Sequence, residues 1–502
     1  MSQADLLAGG SLRIEQPFVQ TMPWPFAEWT FAPAGYRPAK VPGFIVPAYP
    51  PGLPLVMSLF QRVSGPRAVF YVVPLLGALA VWMTARLGAG VYGPMAGIVA
   101  AVWLAASPAF LYQVVQPLSD VPVTAWWTVS LALAVRAGAG SALGAGLAAS
   151  MAVVTRPNLV PLAAVIGGFL VWRARRTGAG GRRAAVRPLA WFAAGVLPGC
   201  LAVAAINQYL YGSALRSGYE DFSALYAWTN LCPNLDRYPR WLVQTESPVI
   251  GLALVAPWVL GRRGTSAGES RVAPEHVWLL LAFAGAVFAS YVLYVPYGRD
   301  EWGYVRFLLP AFPALMVLGS GVVVEMLRRA IGRRPAEVAA SFALAAALVV
   351  WQARESVNRG AFLTERAERR YADVGRYVAN ATPREAVVIA GLHAGSIRYY
   401  SGRLTLRYDW LEPRWLDEAV RALAANGYHP YIVIEEGEEA GFRERFGALN
   451  RLARLDWQPL ARRSQPIRVK IFDPADRERF PAGQTPAPAE IPPVRRPPFA
   501  SR

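Results

Sequence analysis

Ionisable side chains stand beside long apolar stretches at a few places in this sequence, and they are the residues best able to do chemistry. A charge at the edge of an apolar helix is costly, so each such residue is a candidate for a functional site. A tyrosine beside a proline run is a further candidate for binding. The candidates are Tyr49, Asp120, Arg299, Asp300, Glu301 and Arg306.

Asp120 is the candidate catalytic residue. It lies in the run Ser119-Asp120-Val121-Pro122, at the start of an apolar stretch. A carboxylate in this position can orient a reacting group or a metal ion. It can equally cap the helix that follows, because Ser and Asp are good N-caps and proline suits a first helical turn. The sequence leaves both interpretations open.

The candidates for substrate binding are Arg306, Arg299 and Tyr49. Arg306 opens the run Arg306-Phe307-Leu308-Leu309-Pro310, where a guanidinium at a membrane face can hold a phosphate through two parallel hydrogen bonds. The alternative for Arg306 is that its side chain snorkels to the interface. Arg299 belongs to the same charged group, and Tyr49 has packing as its alternative.

Asp300 and Glu301 are the candidate metal ligands, since carboxylate oxygens suit a divalent cation. A solvated loop is the alternative for this pair, and also for Glu220 and Asp221. The histidines are too scattered to form a metal cluster, and the cysteines give neither a disulfide framework nor a metal-ligand spacing. These residues are His276, His393, His429, Cys200 and Cys232. We expect a structural role for His393.

Composition defines the kind of protein that must position these residues. The chain has 502 residues, of which 54% are hydrophobic and 17% are charged. This is too apolar for an ordinary soluble enzyme or a disordered chain. The net charge of +18 does not indicate nucleic acid, because 49 of the 51 basic residues are arginine, a bias typical of coding composition. The sequence therefore predicts an integral membrane protein without a nucleic-acid partner.

About ten stretches approach the roughly 20 apolar residues that cross a bilayer. They cover approximately residues 68–86, 92–112, 120–136, 141–155, 158–172, 188–210, 247–261, 276–296, 303–327 and 336–352. If the stretches alternate, one set of connecting loops carries fifteen arginines and the other carries six. The positive-inside rule places the first set in the cytoplasm and both ends of the chain outside.

Four regions follow from this pattern. Residues 1–65 form an outer segment, 66–352 a transmembrane helical domain, 353–480 an extracytoplasmic α/β domain and 481–502 a disordered Pro-rich tail. In the α/β domain we expect strands at Ala386–Ala390, 431–435 and 468–472, and a helix at 415–425. An outer segment with no visible export signal should follow a membrane helix, so we expect the native chain to begin upstream of Met1.

Several short motifs occur in an order that resembles the GT-C superfamily of membrane glycosyltransferases, which includes the lipid A aminoarabinose transferases and the protein O-mannosyltransferases. The motif order is the specific part, since each motif alone is short. The motifs are Gly9-Gly10, Tyr49-Pro50-Pro51-Gly52, Ser107-Pro108, Ser119-Asp120-Val121-Pro122, Thr155-Arg156-Pro157-Asn158 and Arg306-Phe307-Leu308-Leu309-Pro310.

The resemblance implies an enzyme of the bacterial inner membrane that takes a sugar from a polyprenyl-phosphate carrier and passes it to an acceptor at the outer face. Asp120 matches the second acidic motif, and Arg306 is the expected contact for the carrier phosphate. The first acid, the expected general base, has no counterpart after Met1, so we expect the chain as given to be inactive. The alternative function is a transporter or a non-catalytic membrane scaffold.

Overall fold

The computed structural model describes residues 1–176, 181–219, 222–260, 273–295, 302–480 and 486–494. Helices dominate, as the sequence predicts, and the chain folds into an N-terminal segment, a bundle of apolar helices and a C-terminal domain built on a sheet. The N-terminal segment contains α1 (Ser2–Ala8), β1 (Ile14–Glu15), α2 (Ala27–Thr30), β2 (Tyr36–Pro38), β3 (Phe44–Pro47) and α3 (Gly52–Ser64).

The helical bundle follows the apolar stretches of the sequence. Its helices are α4 (Val69–Val91), α5 (Pro94–Ala106), α6 (Pro108–Val114), α7 (Asp120–Ala134), α8 (Ala139–Thr155), α9 (Pro161–Arg176), α10 (Gly181–Tyr211), α11 (Phe222–Leu225), α12 (Leu231–Glu246), α13 (Ala256–Leu260), α14 (Pro274–Val292), α15 (Phe312–Ile331) and α16 (Arg334–Asn358). Short 3₁₀ segments join several of them, notably Pro248–Val255 before α13 and Trp302–Ala311 before α15.

The predicted count of about ten membrane spans is not confirmed. Within the described residues, six helical segments are long and apolar enough to cross a membrane, or eight if each of two bent helix pairs counts as one span. Two further stretches that we counted as spans are short helices, because α7 has 15 residues and α8 has 17. Both are shorter than the roughly 20 residues that a perpendicular span needs.

The two bent helix pairs meet at a buried carboxylate. The chain bends by 61° between α5 and α6 at Ser107, and by 112° between α12 and the segment Pro248–Val255. Glu246 lies at the second bend and is fully buried. Its Oε1 accepts a hydrogen bond of 2.6 Å from Ser107, and its Oε2 accepts one of 2.8 Å from Gln352 on α16. These bonds hold both bends against α16.

Arginines mark one end of the bundle. Arg173 on α9 donates hydrogen bonds to the carbonyls of Ala134 and Arg136, at the end of α7. Arg176 lies 3.9 Å from Glu275 at the start of α14. The opposite end carries the N-terminal segment, because α3 packs against α8 there. The bundle therefore has an arginine-rich end and an end that faces the outer segment.

The C-terminal domain is a six-stranded sheet flanked by helices, with strand order β5-β4-β6-β8-β7-β9. The fully buried β4 lies between two parallel neighbours, while β8 runs antiparallel to β6 and β7. The elements are α17 (Thr364–Ala381), β4 (Ala386–Ala390), α18 (Ala394–Ser401), β5 (Leu404–Arg407), α19 (Leu416–Ala425), β6 (His429–Glu435), α20 (Glu436–Phe446), β7 (Ala461–Arg463), β8 (Val469–Phe472), α21 (Pro474–Arg479) and β9 (Ala489–Glu490). The strands and helix predicted for this domain match β4, β6, β8 and α19.

The predicted disordered tail is wrong for residues 486–494. Strand β9 pairs with β7, Ile491 is only 3% exposed, and the backbone N–H of Val494 donates to Asp373 at 2.8 Å. The sequence did not predict this strand because the segment is rich in proline and has a single buried apolar residue, Ile491, next to it.

The N-terminal segment and the C-terminal domain share a hydrophobic core. Trp24 and Phe31 from the first segment lie in the same buried cluster as Ile432 and Phe472 from the sheet. The rings of Trp29 and Trp410 stack with centroids 4.6 Å apart. The two ends of the chain therefore form one layer on the bundle.

Candidate functional site

Asp120 and Arg156 form an ion pair at the end of the bundle that faces the outer segment. Nη2 of Arg156 lies 2.8 Å from Oδ1 of Asp120 and donates a second hydrogen bond of 2.9 Å to Ser119. The side chains of Asp120 and Arg156 are 3% and 13% exposed, respectively. The pair joins the first residue of α7 to the residue that follows α8.

The alternative that Asp120 or Ser119 merely caps α7 is wrong. Ser119 is the N-cap residue, but no side-chain capping bond is present at this helix start. Instead, the oxygens of both side chains accept hydrogen bonds from Arg156. Burying an ion pair is costly unless the geometry is good and the polar groups are satisfied, so its presence here needs a reason beyond ending a helix.

A tyrosine from α14 extends this pair into a network. The hydroxyl of Tyr291 accepts hydrogen bonds from Arg156 at 3.3 Å and from the side-chain amide of Asn158 at 3.1 Å. Asn158 is also hydrogen-bonded to Tyr226. Three separate parts of the chain, namely the α8–α9 turn, α14 and the segment after α11, therefore meet at one polar cluster.

Asn234 on α12 fixes the position of Tyr291. Its side-chain amide donates to the carbonyls of Tyr291 at 3.4 Å, Val292 at 3.0 Å and Tyr294 at 2.8 Å. The last carbonyls of a helix have no partner within the helix, so this buried amide serves as the C-terminal cap of α14. Asn234 acts on the cluster through the backbone that carries Tyr291.

Aromatic side chains line the outer side of the cluster. The ring of Tyr219 lies 6.0 Å from that of Tyr49, which is 55% exposed. Burial raises the pKa of Tyr219 above its ordinary value, although the positive charge of Arg156 opposes this effect. Tyr219 thus stays a neutral hydroxyl that can donate a hydrogen bond. Tyr49, a predicted substrate contact, lies one ring away from the network.

Arg306 lies on the other side of Tyr291. Phe307 stacks on the Tyr291 ring with centroids 5.1 Å apart, and the guanidinium carbon of Arg306 lies 5.1 Å from the centre of the Phe307 ring. Nε of Arg306 is buried and has no hydrogen-bond partner among the described residues. A buried guanidinium nitrogen with no acceptor is unusual and indicates that a ligand oxygen can complete it.

The remaining predicted site residues lie outside the described part of the chain. These residues are Arg299, Asp300 and Glu301, together with Glu220 and Asp221. The described residues contain no group of three or more His, Cys, Asp or Glu side chains that could hold a metal ion. Because Asp300 and Glu301 lie outside the described residues, their role as divalent-cation ligands stays a prediction.

The arrangement suits the orientation of polar groups. Asp120 and Arg156 neutralise one another's charge. The pair can therefore form directed hydrogen bonds with a ligand without attracting a free ion. The hydroxyls of Tyr219 and Tyr291 and the amide of Asn158 add neutral donors and acceptors around it. Arg306, whose buried Nε has no partner within the described part of the chain, adds a cation that can meet an anion. The cluster can therefore hold an anionic group and a hydroxyl-bearing molecule side by side.

Reasoning from the sequence missed three members of this cluster as site residues. The run Arg156-Pro157-Asn158 favours a turn, because proline and asparagine both suit turns, and the turn is present as a 3₁₀ segment at Pro157–Leu159. The side chains of Arg156 and Asn158 were assigned no role, although an arginine and an amide next to an apolar span were a usable signal. Tyr291 lies near the end of a largely apolar helix and gave no signal of its own.

Solved structures of two proteins share this architecture over most of the chain. ArnT from Cupriavidus metallidurans, in a crystal structure bound to undecaprenyl phosphate, has a TM-score of 0.53 at 12% sequence identity, covering 93% of this chain and 92% of that chain. The apo form of the Archaeoglobus fulgidus oligosaccharyltransferase has a TM-score of 0.57 at 13% identity, covering 97% and 71%.

The archaeal enzyme, AglB, has also been solved with an inhibitory peptide and a dolichol-phosphate, with a TM-score of 0.50 at 11% identity. No protein-family model matches this sequence, and no curated protein matches it. ArnT and AglB are both membrane glycosyltransferases of the GT-C superfamily. The chain thus has the GT-C fold, and the resemblance inferred from the order of its motifs is confirmed for the fold.

Proposed function

We propose that this chain is a glycosyltransferase that moves a sugar from a polyprenyl-phosphate carrier to an acceptor at the outer face of a bacterial inner membrane. The observation that carries the proposal is the buried Nε of Arg306, which has no hydrogen-bond partner in the part of the chain that the structure describes. It lies one aromatic ring away from the Asp120–Arg156 network. A guanidinium fork matches the oxygens of a phosphate, and a phosphate on an apolar chain is the ligand expected at a membrane interface.

The residues divide the work between donor and acceptor. Arg306 holds the carrier phosphate, so that negative charge developing on it as the leaving group is stabilised. Asp120, fixed by Arg156, accepts a hydrogen bond from the acceptor and aligns its hydroxyl with the anomeric carbon. That hydroxyl oxygen forms the new bond to the anomeric carbon as the bond from this carbon to the phosphate oxygen breaks.

The proton of the acceptor hydroxyl must pass to a general base, and we assign this role to none of the described residues. Tyr291 and Asn158 keep the guanidinium of Arg156 in the orientation that points its Nη2 at Asp120. Tyr49 and Tyr219 provide an aromatic wall of the kind on which sugar rings pack. This aromatic contact is the part of the site from which discrimination between sugars would come.

A transporter or a scaffold function is not favoured. The fold is shared over nearly the whole chain with ArnT, and the end of the bundle under the outer layer contains a buried polar network of the kind that a reaction site needs. A scaffold would have no use for a buried ion pair at this position, since an apolar pair of similar size would be at least as stable.

Binding of the carrier tests the proposal without depending on a general base. The intact protein in mild detergent is titrated with a polyprenyl phosphate and, as the matched control, with the parent polyprenol, while tryptophan fluorescence is followed. We expect the phosphate to bind at least 10-fold more tightly, roughly the value of one charge-assisted pair. Equal affinity for the two compounds would show that Arg306 does not bind the carrier phosphate, and it would contradict the proposed function.

A further inference from the structure

A groove at the arginine-rich end of the bundle is lined by residues that have no role in the proposed reaction. It lies between α9 and α10 and has a volume of about 550 Å³. Its walls are apolar, with Phe192, Val196 and Leu197 on α10 facing Ala163 and Ala164 on α9. Among the six candidate spans, the segment that contains α10 is the least buried within the protein. The groove therefore faces lipid.

Two consecutive glycines of α9 build this groove in different ways. A Cβ on Gly167 would lie 3.1 Å from the side chain of Leu189, so Gly167 lets α10 approach closely. A Cβ on Gly168 would meet nothing within 4 Å. Gly168 therefore leaves open space along the lipid-facing side, where a side chain would otherwise lie.

The groove ends at Arg175, a cation without a partner among the described residues. Arg173 is committed to backbone carbonyls of the neighbouring helix end, and Arg176 lies near Glu275 and the ring of Trp172. Arg175 lines the groove and is exposed, and it makes neither an ion pair nor a hydrogen bond with the residues that the structure describes. An arginine beside an exposed tryptophan is typical of the headgroup level of a bilayer.

The length of the groove matches one leaflet. Its lining on α9 runs from Ala163 to Arg175, which corresponds to a rise of about 18 Å along a helix. Half of a hydrocarbon core is about 15 Å thick. An acyl chain that starts at headgroup level would thus be covered over most of its length, whereas a polyprenyl chain would extend far beyond the groove.

We propose that this groove binds one acyl chain of an anionic phospholipid from the leaflet at the arginine-rich end, with the lipid phosphate on Arg175. The phosphate supplies the anion that Arg175 lacks, and the chain fills the space left by Gly168. Basic pockets between membrane helices are favourable places for anionic headgroups. The site lies at the opposite end of the bundle from Asp120, so it is distinct from the proposed donor site.

The test uses the intact protein, purified in mild detergent and supplied with phosphatidylglycerol or with phosphatidylcholine of the same chains. Native mass spectrometry counts the lipids retained, and thermal unfolding reports the protection that they give. Gly168→Leu fills the groove, and Arg175→Gln removes the charge. Gly285→Leu, at another exposed membrane glycine with nothing within 4 Å of its Cβ, and Arg86→Gln, at an exposed arginine, are the matched controls.

We expect the wild type and both control variants to retain phosphatidylglycerol in preference to phosphatidylcholine. Arg175→Gln should reduce that preference by about 10-fold while still retaining lipid, because the chain site remains. Gly168→Leu should reduce retention of both lipids by at least that factor. Inorganic phosphate should give no protection, since it lacks the chain.

The proposal is overturned if Gly168→Leu and Arg175→Gln retain both lipids as the wild type does. It is equally overturned if Gly168→Leu changes the oligomeric state instead of lipid retention, because the groove would then hold a second copy of this chain. Binding of polyprenyl phosphate should be normal in both groove variants, which separates failure of this site from failure of the proposed function.

Discussion

Asp120 and Arg156 are 36 residues apart in the sequence, yet one hydrogen bond of 2.8 Å joins the carboxylate at the start of α7 to the guanidinium after α8. Both groups are largely buried, so each depends on the other to offset the loss of water. Arg156 also holds Ser119 and Tyr291. The pair is thus the centre of the network, and its removal should affect both activity and folding.

Asp120→Asn tests this centre, because it removes the charge and keeps the shape, and no capping bond is at stake. We expect turnover of a lipid-linked sugar by an active form of the protein to fall by about 100-fold, since the acceptor loses its orienting group. The free energy of unfolding should fall by about 3 kcal/mol, because Arg156 is left buried without its partner. Asp236→Asn, in an exposed pair with Arg240, is the control and should be silent. Wild-type turnover in Asp120→Asn would remove the residue from the site.

Arg306→Lys should affect binding of the donor more than the chemical step. Lysine keeps the positive charge but loses the planar fork, so we expect the KM for the lipid-linked donor to rise about 10-fold. Arg216→Lys, at an exposed arginine of the loop after α10, should leave the KM unchanged. If Arg306 only snorkels to the interface, lysine reaches equally well and the two variants would have the same kinetics.

Two substitutions at Glu246 should distinguish the effect on stability of losing a hydrogen-bond acceptor from the effect of losing a charge. Glu246→Ala leaves the buried donors of Ser107 and Gln352 without a partner, and we expect a loss of about 3 kcal/mol in the free energy of unfolding. Glu246→Gln should cost much less. Oε1 of Gln352 is buried without a partner, so a rotated amide at Gln352 can accept from the new amide. Unfolding in mild detergent measures both variants, and equal losses would contradict this account.

The C-terminal domain should become less stable in acid through Glu435. Burial alone raises the pKa of Glu435, but hydrogen bonds from His393 and Arg370 outweigh it and lower the pKa below the ordinary 4.5. A lowered carboxylate pKa gives stability that is fully present above the unfolded pKa and is lost as the pH falls through the folded value.

The difference in unfolding midpoint between wild type and Glu435→Gln should therefore be constant near neutral pH and shrink as the pH falls below about 4.5. Glu444→Gln, at an exposed carboxylate of the same domain, is the control and should show no such dependence. A difference between wild type and Glu435→Gln that grows in acid would reverse the sign of our argument.

Reporter fusions can establish which end of the bundle faces the cytoplasm. We expect fusions after Arg183 and Arg334 to report the cytoplasm and a fusion after Gly402 to report the outside, because of the fifteen-to-six arginine asymmetry between the loops. An external signal at Arg183 would overturn this orientation and the placing of the C-terminal domain.

Hydropathy and turn chemistry made much of the fold predictable, because apolar stretches and helix-ending glycines can be recognised from neighbouring residues in the sequence. The apolar stretches lie where the bundle helices lie, and Gly9-Gly10 directly follows α1, as is typical of glycine at a helix end. The number of membrane spans was harder to predict from the sequence. A helix of 15 residues such as α7 lies within the bundle, and the 112° bend at Glu246 redirects one apolar stretch, so a run of apolar residues alone does not establish a crossing.

The candidate site was predictable only in part, because its geometry depends on contacts between distant residues. Asp120 and Arg306 are visible as charges beside apolar helices. The partner of Asp120 depends on how α7 packs against α8, and Tyr291 lies 135 residues beyond Arg156. No local pattern encodes a contact of that kind. A charged residue in a turn between two membrane helices is nevertheless a signal that could have identified Arg156.

The hydrophobic core that the N-terminal segment shares with the C-terminal domain has a consequence for biosynthesis. Trp24 and Phe31 leave the ribosome before the helical bundle does, whereas their packing partners Ile432 and Phe472 leave after it. The apolar side chains of the first segment must therefore wait for the whole bundle to be inserted before they are covered. Contacts so distant in sequence form slowly, and exposed apolar surface invites aggregation meanwhile. Chains that stop before the last strands should thus be held by chaperones or degraded, even when every membrane helix is in place.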